Sequence, residues 1–146
     1  MDEGRRAKMA WLCRYRDSLK RQERLKVEIA EVRGRSVGMV QNWNIRTGPS
    51  GSYTDRVADT AQQIDRLERK LQQEQQRGQE IAAEIIITAY SLPLKYAEVL
   101  CCLYLDGLTF AQTANKTGLA ATTVQSYKKK AIAALALPEQ QQNDIE

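Results

Sequence analysis

A run of polar and basic side chains stands between residues 120 and 131. Its members are Thr122, Thr123, Gln125, Ser126, Lys128, Lys129 and Lys130. A glutamine amide can pair bidentately with adenine, and threonine can contact a thymine methyl group or a phosphate. A lysine ammonium neutralises phosphate without reading sequence. Three lysines near a helix C-terminus also suit the helix dipole as a solvated face, so they alone do not decide between these interpretations.

Two short helices joined by a sharp turn are predicted to position this run. The first helix extends from about Thr109 to Lys116, and the Thr109 hydroxyl caps it. Gly118 supplies the turn, since glycine enters positive φ without a Cβ clash. The second helix extends from about Ala121 to Leu135.

The apolar spacing in residues 108–135 favours a compact pair over one straight helix. The side chains expected to converge on one core are Ala114, Leu119, Val124, Ala131 and Leu135. The side chains then left facing outward are Thr122, Thr123, Gln125, Ser126 and Lys129. This is the arrangement of a helix-turn-helix that reads the major groove of double-stranded DNA. The predicted contacts are the seven residues of the run together with Thr109 and Ala121.

A supporting helix is predicted just upstream, over Leu92 to Asp106. Pro93 suits its start, where the missing N–H costs little, and Gly107 ends it. Its apolar face consists of Tyr96, Val99, Leu100, Leu103 and Tyr104. Three helices then form a small C-terminal domain, over residues 92–137, and Pro138 opens a disordered tail over 138–146.

Two long helices are predicted before this domain, over residues 4–40 and 56–91. The first carries an apolar stripe of Leu12, Tyr15, Leu19, Leu25, Ile29 and Val32, and weakens at Gly34 and Gly38. The second carries a near-heptad stripe of Val57, Ala61, Ile64, Leu67, Leu71, Gly78, Ile81, Ile85 and Ala89. A loop over Asn42–Asp55 separates them, and Thr54 or Asp55 caps the second helix.

The two stripes need a partner, because a narrow apolar face is not stable alone in water. An antiparallel, coiled-coil-like hairpin over residues 1–91 satisfies both within one chain. Pairing between subunits of a dimer satisfies them equally, and the sequence does not separate the two. The predicted fold is therefore all-α, a long helical hairpin followed by a trihelical helix-turn-helix domain.

Composition excludes several classes of function. The 146 residues carry a net charge of +4, and residues 1–55 hold 12 Lys and Arg against 7 Asp and Glu. Histidine is absent and the three cysteines have no metal-ligand spacing, so we expect no zinc site, no cofactor and free thiols in a reducing cytoplasm. No apolar run reaches the length of a membrane span. Nothing in the sequence indicates an enzyme.

The C-terminal segment resembles region four of bacterial sigma factors. The matching residues are Leu103-Tyr104-Leu105-Asp106-Gly107, Leu108-Thr109, Ala114, Gly118-Leu119, Thr123-Val124, Lys130-Ala131 and Leu135. Ala120 stands where the pattern usually has a capping serine, and Thr113 where it has isoleucine or valine. The whole chain is similar to phage late-gene transcriptional activators of the RinA/ArpU type, through Tyr15-Arg16, Gly48-Pro49, Asp55 and Ile64-Asp65.

The resemblance implies a sigma-like activator of phage or prophage genes. We expect this protein to bind double-stranded DNA as an oligomer, a dimer through its long helices, with RNA polymerase as a further candidate partner. Two other functions stay open. A phage DNA-packaging component, like a small terminase subunit, also combines a helix-turn-helix with long helices. A non-catalytic coiled-coil adaptor needs no nucleic acid at all.

Overall fold

Every element in the described part of the chain is an α-helix. The computed structural model describes the backbone of residues 2–43 and 50–138 and the side chains of residues 3–35 and 55–138. The helices are α1 (Asp2–Trp43), α2 (Ser50–Ala89), α3 (Leu94–Tyr104), α4 (Phe110–Thr117) and α5 (Ala121–Ala134). The predicted all-α class is confirmed for these residues. None of these helices has a stretch long and apolar enough to cross a membrane.

The long helix α1 extends further than the sequence predicted. It begins two residues before the predicted start and continues through Gly34 and Gly38 to Trp43, three residues beyond the predicted end at residue 40. A helical glycine costs about 1 kcal/mol relative to alanine, which a helix of 42 residues tolerates. Among the described residues, no atom outside the neighbouring backbone of α1 lies within 4 Å of the position that a Cβ on Gly34 would take.

The predicted loop over Asn42–Asp55 is shortened from both sides. α2 begins at Ser50, so Thr54 and Asp55 lie inside the helix and do not cap it. Residues 44–49 lie outside the described residues, as do residues 139–146 of the predicted tail.

The chain divides into two compact units, and each long helix contributes to both. One unit comprises Met1–Asp17 together with Gly78–Glu146, and the other comprises Ser18–Arg77. These bounds differ from the predicted domains 1–91 and 92–137, because the start of α1 and the end of α2 pack with the C-terminal helices. We call them the head unit and the middle unit.

The core of the head unit joins residues from both ends of the sequence. Its buried members are Leu12, Ile81, Ile85, Ala89, Ala97, Leu100, Tyr104, Ala131, Ile132 and Leu135. Leu12, Ile85 and Leu100 are fully buried. Burying such a side chain contributes about 1.5–3 kcal/mol, so the start of α1 stabilises the C-terminal helices directly. An ion pair between Arg14 and Glu84, 2.8 Å apart, lies at the surface of the same unit.

Helices α3, α4 and α5 all contact one another. The predicted core is confirmed at Val124, Ala131 and Leu135, which are buried, while Ala114 and Leu119 are half-buried. The tyrosines of the head unit differ in their exposure to solvent. Tyr104 is buried as predicted, whereas Tyr90, just after α2, is 53% exposed.

Within the middle unit, buried and half-buried side chains recur at the alternating three- and four-residue spacing of a coiled-coil seam. They are Ser18, Gln22, Leu25, Ile29 and Val32 on α1 and Thr60, Ile64, Leu67, Leu71 and Glu74 on α2. Leu19 and Ala61 were predicted for this seam, but both are exposed. Each follows a seam residue by one position, and one step rotates a side chain by about 100° around a helix.

A polar layer interrupts the seam at Ser18. The Ser18 hydroxyl donates to the backbone carbonyl of Glu74 at 3.3 Å, and the Gln22 amide donates to the Ser18 hydroxyl at 3.3 Å. Arg21 also pairs with the Glu74 carboxylate at 2.8 Å, and Arg33 pairs with Glu68. Satisfied polar layers of this kind fix the register of two helices at some cost in stability.

The cysteines are free thiols, as predicted. Cys102 is buried, whereas Cys13 and Cys101 are half-buried. Burial, with a smaller contribution from Asp106, raises the pKa of Cys101 to about 11. The Cys101 thiol therefore stays protonated and packs as a small apolar group.

Candidate nucleic-acid interface

A complete capping box begins α4. The Thr109 hydroxyl accepts from the Gln112 backbone N–H at 3.2 Å, and the Gln112 side-chain oxygen accepts from the Thr109 N–H at 2.9 Å. These reciprocal bonds satisfy two free donors of the first turn. The predicted cap at Thr109 is confirmed. Its partner Gln112 was missed, although threonine followed three residues later by glutamine is a readable signal.

The turn between α4 and α5 depends on Gly118. Its φ is +74°, and its N–H bonds the Ala114 carbonyl at 2.9 Å. The Leu119 N–H bonds the same carbonyl at 3.2 Å. Glycine adopts this left-handed conformation without strain, so the predicted turn is confirmed at that residue.

One face of α5 presents four of the predicted contact residues to solvent. Thr122, Gln125, Ser126 and Lys129 are exposed and recur at the spacing of neighbours on a helix surface. Among the other predicted contacts, Thr109, Ala121 and Lys130 are exposed, and Thr123 is half-buried. Two hydroxyls, an amide and an ammonium thus share about two helical turns.

Lys128 has a different environment from its two neighbours. Its Nζ lies 5.4 Å from the ring centroid of Phe110 and 5.8 Å from that of Tyr104. A cation over aromatic faces contributes about 0.5–2 kcal/mol, depending on its desolvation. Lys128 therefore connects α5 to α3 and α4. Sequence reasoning assigned it only to phosphate, because its two rings come from other helices.

Two further contacts, which the sequence pattern does not reveal, also hold α5 in place. The Lys8 ammonium donates to the Ala133 carbonyl at 3.1 Å, where a cation suits the helix dipole. The rings of Tyr96 and Tyr127 meet edge to face, with centroids 5.1 Å apart. The start of α1 and the face of α3 therefore set the orientation of α5 within the head unit.

Comparisons with protein-family models, curated proteins and solved structures gave no match to this chain. A functional conclusion therefore depends on the local geometry and on the sequence pattern.

Thr113, on α4, has a buried hydroxyl group without a hydrogen-bond partner among the described residues. The residue is fully buried, and its Oγ1 has no hydrogen-bond partner in the described part of the chain. Leaving a buried hydroxyl unpaired costs about 1–3 kcal/mol. The apolar residue expected here from the sigma-factor pattern would avoid this cost.

Replacing Thr113 by valine is expected to raise the free energy of unfolding by about 1 kcal/mol, because valine keeps the shape and removes the hydroxyl. Thr113→Ser is the matched control, since it keeps the hydroxyl and loses a methyl group, and it should lower stability. Thermal denaturation followed by circular dichroism measures both. A destabilised Thr113→Val protein would mean that the hydroxyl is bonded after all.

The start of α5 is expected to gain from a better cap. Ala120 is the N-cap residue, with extended backbone and no side-chain hydrogen bond. Ala120→Ser should add about 0.5–2 kcal/mol, because a serine oxygen can accept from a free N–H of the first turn. Ala121→Ser, one residue into the helix, is the control and should add nothing. Chemical denaturation compares them, and equal gains would exclude capping as the cause.

Proposed function

We propose that this chain is a sequence-specific DNA-binding regulator that activates transcription of phage or prophage genes in the manner of a sigma factor. The observation that carries the proposal is the exposed face of α5 with Thr122, Gln125, Ser126 and Lys129. This face stands on the second of two short helices joined at Gly118. In a helix-turn-helix, such a second helix enters the major groove and contacts bases mainly through its N-terminal residues.

We assign base contacts or phosphate contacts to the residues of this face according to their position along α5. Thr122 and Gln125 lie nearest the N-terminus, so we assign base contacts to them, with adenine as the natural partner of the glutamine amide. Lys129 and Lys130 follow one or two turns later and would neutralise phosphates. Thr109 stands at the start of α4, the first helix of the pair. It would contact a phosphate where α4 crosses the DNA backbone.

Lys128 receives a supporting role in this proposal. Its contacts with Phe110 and Tyr104 keep α5 in place against the other two helices. Such support matters because base contacts require side chains held within about 0.5 Å of a productive position.

The long helices supply the second part of the proposal, a helical hairpin. In the middle unit, Arg21 pairs with Glu74 and Arg33 pairs with Glu68. The residue further along α1 therefore pairs with the residue that comes earlier in α2. That order supports antiparallel pairing of the two helices. We propose that this hairpin brings a second copy of the chain or RNA polymerase alongside, and that the protein acts as a dimer.

Selection of bound fragments from the host prophage genome, with the purified protein, tests the proposal. We expect recovery of a short recurrent sequence beside a promoter, and activation of a reporter fused to that promoter. Recovery of unrelated fragments by a ring-shaped assembly would favour a packaging component instead. Failure to bind any DNA at low salt would overturn the proposal in favour of an adaptor.

A further inference from the structure

An open cleft of about 400 Å³ lies between α1 and α2 in the middle unit. Four cationic side chains line it, two from each helix: Arg21, Arg24, Lys70 and Arg77. Two carboxylates accompany them, those of Glu28 and Glu74. The cleft therefore carries an excess of two positive charges, and both helices contribute to it.

The charge of the whole protein is concentrated in the same unit. Residues 18–77 contain 12 Lys and Arg against 8 Asp and Glu, whereas the remaining residues contain 10 of each. The net charge of +4 is therefore the charge of the middle unit, and the head unit with α5 is neutral as a whole. Concentrated positive charge of this kind attracts polyanions and accelerates their association.

The ion pairs inside the cleft leave its arginines able to bind an anion. Arg21 contacts Glu74 through one nitrogen at 2.8 Å, and Arg24 lies 3.7 Å from Glu28. The side chains of Arg21 and Arg24 are 50% and 84% exposed. Because a guanidinium has five N–H donors, each arginine retains donors toward solvent.

Glu74 remains ionised in this setting. Burial by itself raises its pKa, but the hydrogen bond from Arg21 and the charges of Arg21 and Arg77 outweigh burial and lower the pKa. The carboxylate thus holds Arg21 in position without taking up a proton. Arg24, Lys70 and Arg77 are the remaining cations of the cleft.

We propose that this cleft binds the phosphate backbone of duplex DNA as a sequence-independent contact, in addition to the base-reading face of α5. The proposal rests on the proposed function, since it names a further surface for the same class of partner. Guanidinium groups match phosphate oxygens bidentately, and three of the four cations are arginines. Each phosphate neutralised adds to affinity and to its salt dependence, without adding base specificity.

The test uses the full chain with the three substitutions Arg24→Gln, Lys70→Gln and Arg77→Gln, which leave the Arg21–Glu74 pair intact. The matched control carries Lys20→Gln, Arg35→Gln and Arg66→Gln, exposed residues of the same two helices outside the cleft lining. Fluorescence anisotropy with a random-sequence duplex between 50 and 200 mM salt should show affinity about tenfold lower for the cleft variant. Its salt slope should fall by about 2–3, since each contact contributes about 0.9. If the control lost as much affinity and salt slope as the cleft variant, the effect would come from net charge alone, and the proposal that the cleft binds DNA would be overturned.

Nuclear magnetic resonance of the ¹⁵N-labelled wild-type protein separates this proposal from the function on which it rests. Added duplex should shift backbone signals of Arg24 and Arg77 and also those of α5. Shifts in α5 alone would overturn the cleft and support the regulator. Shifts at the cleft alone would support the cleft and count against base reading by α5. A cleft that responds to an acidic peptide and not to the duplex would overturn the nucleic-acid assignment.

Discussion

Replacing Leu12 by alanine is expected to lower the free energy of unfolding by about 2–5 kcal/mol, the range for removing a large side chain from a core. Leu12 is fully buried and shares its core with Leu100 and Leu135, although these residues stand far away in the sequence. The cavity would open beneath α3 and α5. Thermal unfolding followed by circular dichroism measures the loss, and DNA affinity should fall at temperatures where the head unit begins to unfold.

Leu19→Ala is the matched control for this prediction. It makes the same substitution on the same helix, but the Leu19 side chain is 41% exposed. Its cost should stay within about 1 kcal/mol, because little packing is lost at an exposed position. Equal destabilisation by Leu12→Ala and Leu19→Ala would contradict the conclusion that the start of α1 stabilises the C-terminal helices through the buried Leu12.

Replacing Gln125 by alanine is expected to lower discrimination between the selected site and random duplex by about 1–3 kcal/mol, the usual value of a bidentate base contact. Affinity for random duplex should stay almost unchanged, because a glutamine amide carries no charge for a phosphate. Gln125 is exposed on α5, so its removal should leave thermal stability unaltered. Competition binding with the two duplexes gives the discrimination directly.

Lys129→Ala provides the contrasting variant. Lys129 is exposed on the same face of α5, one turn further from the N-terminus. Its loss should weaken binding to every sequence and reduce the salt slope by about 1, the signature of one lost phosphate contact. Base reading by α5 would be refuted if Gln125→Ala and Lys129→Ala weakened selected and random duplexes alike.

Much of the candidate interface could be predicted from the sequence, because its determinants lie close together along the chain. Thr109 caps a helix through Gln112, only three residues away. Gly118 forms the turn through its own backbone conformation. The outward face of α5 follows from helical periodicity once Val124 and Ala131 are identified as core.

The prediction of the seam between the long helices was less accurate, because the burial of a seam residue depends on contacts with the other helix. The apolar stripe predicted on α1 includes Leu19 and leaves out Ser18, because hydrophobicity is the usual sign of a buried face. In the structure Ser18 and Gln22 are buried because the Glu74 carbonyl satisfies their polar groups. A partner on another helix thus made a polar position suitable for the seam, and such a partner is invisible in a local pattern.

Local residue order determined the helical class, the cap at Thr109, the turn at Gly118 and the polar face of α5, since each depends on neighbours within a few residues. Tertiary structure alone decided which distant groups support that face. Lys8 bonds the Ala133 carbonyl near the end of α5, 125 positions away, and Leu12 joins the core that contains Ala131 and Leu135. Lys128 likewise meets the rings of Tyr104 and Phe110 only after three helices have assembled. The free energy of such contacts depends on close three-dimensional packing, which no spacing along one helix encodes.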